Sequence, residues 1–174
     1  MKILIVIDSL GTGGAQTLKA QLAKGLVQRG HEVEIFIYNA NSQFFAAEFL
    51  NAGITIHIAN KQGSGFSFGV LLELRARIKS QYDAVISSLH APSIYASLAV
   101  LGIRHCKLIV CEESSSNAPV PLIRKVMFYF ATLIADAVVA NSFNEARLMS
   151  KLPGRSKKLH VIWNGYRLGS ILFK

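Results

Sequence analysis

Cysteine is scarce: Cys106 and Cys111 are the 2 present in 174 residues. That excludes a disulfide framework and a four-cysteine zinc site, and their spacing is not Cys-x-x-Cys, so both read as reduced thiols. Proline is scarce as well, at 4 residues. Charged residues reach only 17% while hydrophobic ones make up 51%, which excludes a disordered chain. Acids are few. Asp and Glu number 10 against 19 Lys and Arg, a net charge of +9. An excess of that sign favours anionic partners: nucleic acid, a phosphorylated substrate or anionic lipid. Long apolar runs are missing too. Met1-Lys2 precedes only Ile3 to Ile7 before Asp8, too short for a signal-peptide core. The stretch from Ala84 to Ile103 carries no Asp, Glu, Lys or Arg, but Ser87, Ser88, His90, Pro92 and Ser93 interrupt it. It reads as strand, turn and helix rather than a membrane span. The expectation is one cytoplasmic domain, able to touch a membrane surface at its periphery and large enough to bury about 70% of its unfolded surface.

Short apolar runs alternate with helical patterns. Strands are predicted at Ile3 to Ile7, Val33 to Tyr38, Ile54 to Ile58, Ala84 to Ser87, Lys107 to Cys111, Ala137 to Ala140 and Leu159 to Trp163. Several are apolar at successive positions, which suits strands covered on both faces of a parallel sheet. Helices are predicted at Ala15 to Arg29, Asn41 to Asn51, Phe68 to Ser80, Pro92 to Leu101, Pro121 to Ile134 and Phe143 to Lys151. Gly30 ends the first, and Ser142 with Glu145 begins the last as a capping box. This alternation implies right-handed crossovers and an α/β, Rossmann-like, doubly wound, mainly parallel sheet of about seven strands.

The most informative stretch is Asp8-Ser9-Leu10-Gly11-Thr12-Gly13-Gly14-Ala15-Gln16, where the first strand gives way to the first helix. Glycines there let a ligand approach the backbone, and free helix amides can receive phosphate or sugar oxygens. A tight turn without a ligand is the alternative. A dinucleotide fingerprint would need a third glycine where Gln16 stands and an acid at the end of the second strand, where the sequence has Tyr38-Asn39-Ala40. A P-loop would need Gly-Lys-Ser/Thr, which does not follow.

Ser9 to Gln16, followed by Leu26-x-x-Arg29-Gly30-His31-Glu32-Val33, resembles the start of the family 4 retaining glycosyltransferases, whose usual pattern is S-L-x-x-G-G-A-E and then L-x-x-x-G-H-x-V. The resemblance continues through Ala135-Asp136-Ala137-Val138-Val139-Ala140-Asn141-Ser142 and Val161-Ile162-Trp163-Asn164-Gly165. It implies one half of a GT-B architecture, in which two Rossmann-like domains face each other across a cleft. Residues 1–166 would form the N-terminal, acceptor-side domain and 167–174 the start of an interdomain linker, with the C-terminal donor-binding domain absent. The implied reaction moves a sugar from a nucleotide diphosphate sugar to a glycan or lipid-linked acceptor with retention, without metal or other cofactor. Two departures stand out: Gln16 replaces the usual Glu, and Tyr166-Arg167 replaces the usual aliphatic-Asp pair.

The resemblance also implies site residues. Gly13 and Gly14 would bind the donor phosphates. His90, following the fourth strand, would support the donor sugar as the catalytic-site histidine, with a structural histidine as the alternative. Glu112 and Glu113, following the fifth strand, would line the acceptor side, with a solvated loop as the alternative. Adjacent carboxylates on an extended chain point in opposite directions, so these two are not an acid/base pair by themselves. His57, His105 and His160 show no spacing that suggests a metal.

The segment from Pro121 to Ile134 reads as a core helix apolar nearly all round. An interfacial helix, with Arg124-Lys125 beside Phe128-Tyr129-Phe130, is the alternative that would bring an anionic membrane as partner. The other basic clusters read as solvated faces. A free-standing Rossmann-like binding module remains the competing functional class. No motif for specific nucleic-acid binding is present.

Overall fold

The structure is a computed structural model that describes residues 1–59, 61, 63–113, 121–151, 153–154 and 156–164. In chain order its elements are β1 (Lys2–Val6), α1 (Gly14–Gln28), β2 (Glu32–Ile37), α2 (Ala46–Asn51), β3 (Thr55–Ile58), α3 (Phe68–Gln81), β4 (Ala84–Ser88), α4 (His90–Val100), β5 (Lys107–Glu112), α5 (Leu122–Ile134), β6 (Ala137–Ala140), α6 (Phe143–Ser150) and β7 (Leu159–Val161). The strands form one 7-stranded sheet in the order β3-β2-β1-β4-β5-β6-β7, and every pairing is parallel. The doubly wound sheet expected from the sequence is therefore present.

Alternation along each strand sorts the core into two layers. Ile3, Ile5, Val33, Ile35, Ile86 and Cys111 pack with Ala20 and Ala23 of α1 and Phe49 of α2. Leu4, Val6, Phe36, Val85, Leu108, Val110 and Val138 pack on the other face with Leu74 of α3, Ala96 of α4, Phe128 of α5 and Met149 of α6. Small residues, Ala20 and Ala23, let α1 lie close to the sheet. Gly30, at φ 80°, ends α1: its amide donates to the Val27 carbonyl and that of His31 to the Leu26 carbonyl, the pairing of a Schellman turn.

Two helices differ from the sequence reading. The helix expected from Asn41 forms only from Ala46, because residues 42–45 bond elsewhere. Leu10 N–H donates to the Ser42 carbonyl and Phe45 N–H to the Leu10 carbonyl, tying this segment to the loop after β1. The second is α5, which is not apolar-buried all round. Only Phe128, Ala131 and Thr132 are buried, while Leu122, Ile123, Val126 and Phe130 face outward beside Arg124 and Lys125. No helix among the described residues is long and apolar enough to cross a membrane.

One charge network ties the three strands β1, β2 and β3 to the end of α3. Glu34, buried on β2, accepts from Lys2 Nζ at 2.7 Å, His57 Nε2 at 2.5 Å and the Tyr82 hydroxyl. Burial works against the Glu34 carboxylate, but those three partners outweigh it and hold its pKa down at about 2. A carboxyl depressed in the folded state stabilises the fold above its unfolded pKa, and that stability is lost as pH falls through the folded value. Glu34→Gln is therefore expected to cost about 2–3 kcal/mol near pH 7. The gap from wild type should narrow as pH falls from about 4.5 toward 2. Urea unfolding at a series of pH values checks this, and a gap that does not change with pH counts against it.

Candidate active site

The strand order reverses between β1 and β4, where the chain crosses from one edge of the sheet to the other. In open α/β sheets ligands sit in the crevice at the C-terminal ends of the strands at such a switch point. Two helices begin there. Gly13 is the N-cap of α1 and Gly14 its first residue; both are exposed, and no side chain caps the helix. The first turn of α1 also carries no acid. Its free amides and the positive end of its dipole thus favour an anion. A Cβ built on Gly14 would meet nothing within 4 Å, whereas one on Gly13 would meet the Gln16 Oε1 at 2.2 Å. Among the described residues, the space beside Gly14 is open.

Across the switch point, Leu89 caps α4 with φ 70° and ψ 164°. Non-glycine residues rarely hold this conformation, at a cost of about 1–3 kcal/mol. The strained turn delivers His90 as the first residue of α4, half-buried, with its ring edge-on to Phe128 at 4.4 Å. Ser87 Oγ donates to Ser93 Oγ at 3.1 Å, tying β4 to α4 beneath the turn. The sequence pointed to His90, but Leu89 carries no local signal, since a leucine there reads as ordinary helix entry.

Gln16 explains its own departure from the family pattern. Its Nε2 donates to Asp8 Oδ1 at 3.1 Å, and Ser9 N–H donates to the same oxygen at 2.8 Å. A glutamate at position 16 would set a second carboxylate against Asp8, so the amide suits this chain.

Glu112 and Glu113 point to opposite faces, as their adjacency requires. Glu112, buried at the end of β5, continues the Leu108–Val110 side of the strand and lies near Glu145 of α6. Burial, and then the Glu112 charge, raise the Glu145 pKa above the usual carboxylate range. Glu145 was legible only as a helix-capping residue, and its amide does donate to Ser142 Oγ at 3.2 Å. Glu113 turns to the α1 face, where its Oε1 lies 2.5 Å from Lys19 Nζ, and both side chains are less than a tenth exposed. Burial opposes the Lys19 ammonium, yet Cys111 and Glu113 more than offset it and raise its pKa above the usual lysine value. The pair sits in a groove of about 420 Å³ walled by Leu22, Ile109, Val139 and Trp163. Residues 114–120 and 165–174 lie outside the described residues. With them lie Ser114 to Asn117, Gly165, Tyr166-Arg167 and the expected domain boundary at 166.

The sequence model of Glycosyltransferase Family 4 matches residues 12–169. The chain belongs to glycosyltransferase family 4. No curated protein matches it. Among solved structures, the family 4 chain is similar to HepE from Anabaena, whose structure was determined with UDP and glucose. The TM-score is 0.77 at 19% identity, covering 95% of this chain and 45% of that one. A glycosyltransferase from Rickettsia africae gives 0.70 at 24% identity, over 95% of this chain and 43% of that one. MurG from Acinetobacter baumannii gives 0.59 at 18% identity, over 82% and 42%. The chain spans less than half the length of each. At these identities the likeness speaks for the fold, which is that of one half of a GT-B enzyme.

Proposed function

We propose that this chain is the N-terminal, acceptor-side domain, residues 1–166, of a retaining glycosyltransferase, with 167–174 beginning the linker to a donor-binding domain. The enzyme moves a sugar from a nucleotide diphosphate sugar to a glycan or lipid-linked acceptor, without a metal. The observation that carries this reading is the open, uncapped start of α1 at Gly13-Gly14, which follows β1 as the strained Leu89-His90 turn follows the neighbouring strand β4. HepE, of the same fold, has been seen with UDP-glucose, which supports a nucleotide sugar as donor.

In this reading the Gly13 and Gly14 amides receive the diphosphate, whose charge grows as the sugar–phosphate bond breaks. His90 hydrogen-bonds a hydroxyl of the donor sugar. Glu112 and Glu113 wall the acceptor side, with Glu113 acting through its ion pair to Lys19 rather than as a free base. Gly14→Val tests the loop. A Cβ there meets nothing within 4 Å among the described residues, so thermal stability should hold. The space for phosphate is lost, and kcat of the two-domain enzyme should fall about 100-fold or more, the scale of one missing charge-stabilising donor. Near-wild-type kcat would remove the loop from the mechanism.

The membrane is the second proposed partner. On α5, Leu122 and Ile123 are 76% and 67% exposed and flank Arg124 and Lys125, with Val126 and Phe130 continuing outward. Phe128 is buried and takes no part, which moves the contact to the start of the helix. Each cation near an anionic surface contributes about 1 kcal/mol, so binding should be weak and salt-sensitive. Co-sedimentation with anionic but not neutral vesicles is expected, and Ile123→Asp should abolish it. Sedimentation with neither kind of vesicle ends the idea.

A further inference from the structure

We infer that Gln16 is a positioning residue of the loop proposed to receive the donor diphosphate: its side-chain amide, laid over Gly13 and bonded to Asp8, sets the turn that leaves the Gly13 and Gly14 amides open. The inference rests on the glycosyltransferase reading and adds to it a residue that acts through its neighbours rather than on the ligand.

The loop between β1 and α1 is anchored at both ends and slack between them. At one end the Asp8 carbonyl accepts from the amides of Tyr38 at 3.3 Å and Asn39 at 2.9 Å, and Leu10 is held by Ser42 and Phe45. At the other end the Gly13 carbonyl accepts from the Thr17 amide at 2.9 Å and from the Thr17 hydroxyl at 3.1 Å. Among the described residues, no hydrogen bond holds the backbone of Gly11 or Thr12. Ordering such residues costs conformational entropy, which some other contact has to offset.

Gln16 supplies that contact. It is the third residue of α1, half-buried, and its Nε2 donates to Asp8 Oδ1 at 3.1 Å. The oxygen of the same amide covers Gly13, since a Cβ built there would fall on Gln16 Oε1. One planar group therefore spans from the helix start to the end of β1 and closes the loop over its slack residues. Most helix N-caps are Ser, Thr, Asp or Asn, whose side chains bond the first-turn amides. Gly13 holds an extended conformation, φ −67° and ψ 159°, that any residue adopts, so its backbone does not call for glycine. The bare position serves Gln16 instead. It makes room for the side-chain amide and leaves the first-turn amides of α1 uncapped. The amide is neutral as well, so the tether sets no negative charge beside a helix start that favours an anion.

Nuclear magnetic resonance of the ¹⁵N-labelled 174-residue chain tests this with Gly13→Ala, Gln16→Ala and the double variant, and with UDP as the probe. In wild type one Gln16 Nε2 proton should lie downfield of free glutamine. Gly13→Ala should return it to the free position, because the flexible end of Gln16 yields to a methyl group more easily than backbone does. Both single variants should move the Ser9 amide, which shares Asp8 Oδ1 with Gln16, and the double variant should move it no further. Thermal midpoints should stay near that of wild type, since neither side chain belongs to the core. UDP binding, read at the Gly14 amide, should weaken about tenfold in each single variant and no further in the double one, the scale of one lost hydrogen bond. A Gln16 side-chain signal unchanged by Gly13→Ala overturns the inference. So do additive effects of the two substitutions on Ser9, or UDP affinity in Gln16→Ala equal to that of wild type. UDP also reports on the other reading: if it leaves the Gly14 amide of wild type unmoved, the donor loop falls, and the Gln16 signals alone decide whether this residue sets the turn.

Discussion

The 174-residue chain alone is expected to transfer no sugar and to bind nucleotide sugars no better than millimolar, about −4 kcal/mol. Transfer requires donor and acceptor to be held together, and positioning of this kind supplies roughly 7–11 kcal/mol of barrier lowering. The structure provides one wall of such a site. Gly13 and Gly14 are exposed, and the amides at the start of α1 face open space. Hydrogen bonds offered to a diphosphate there compete with water, and the high local dielectric weakens their electrostatic part. A second wall would exclude that water. Titration calorimetry with UDP- and GDP-sugars, together with a radiolabel transfer assay, tests both halves of the expectation. Micromolar binding, or any turnover by this chain, would place the whole donor site within it and overturn the two-domain reading.

What the sequence revealed followed from periodicity and turn chemistry. Several of the seven strands are apolar at successive positions because helices cover both faces of the central sheet, and all seven form close to where the sequence places them. Gly30 was legible because a helix end needs φ > 0, and it has it. What escaped is decided by tertiary partners. The start of α2 was misplaced because a long-range bond between Leu10 and Ser42 takes the backbone that a helix would have used. For α5, apolar content suggested burial, but Leu122 and Ile123 are exposed. The site divides in the same way. Gly13, Gly14 and His90 stand out by residue type at strand ends. Leu89 and Lys19 do not, since strain and a buried ammonium are properties of a fold rather than of a local pattern.

Lys19 shows the consequence most strongly. In the sequence it is one lysine on a helix rich in polar residues, and such lysines are ordinarily solvated. In the fold it is 5% exposed and points into the sheet layer, with Glu113 as its counter-ion at 2.5 Å. Among the described residues the Glu113 Oε2 has no hydrogen-bond partner, so the pair is the acid's sole described tie. Removing one member of a buried pair strands the other charge, at a typical cost of about 3–5 kcal/mol. Lys19→Ala is therefore expected to destabilise the chain by that amount, far beyond the roughly 0.5 kcal/mol of a surface lysine. Replacing both partners is a different experiment. Lys19→Met with Glu113→Leu fills the same groove, walled by Leu22, Ile109 and Val139, with apolar surface and leaves no stranded charge. Its stability should return close to wild type or exceed it. Urea unfolding of wild type, both single variants and the double variant gives the coupling energy directly. A Lys19→Ala loss below about 1 kcal/mol would mean that water or a rearranged side chain reaches Glu113, and that the ion pair does not anchor α1 to the end of β5.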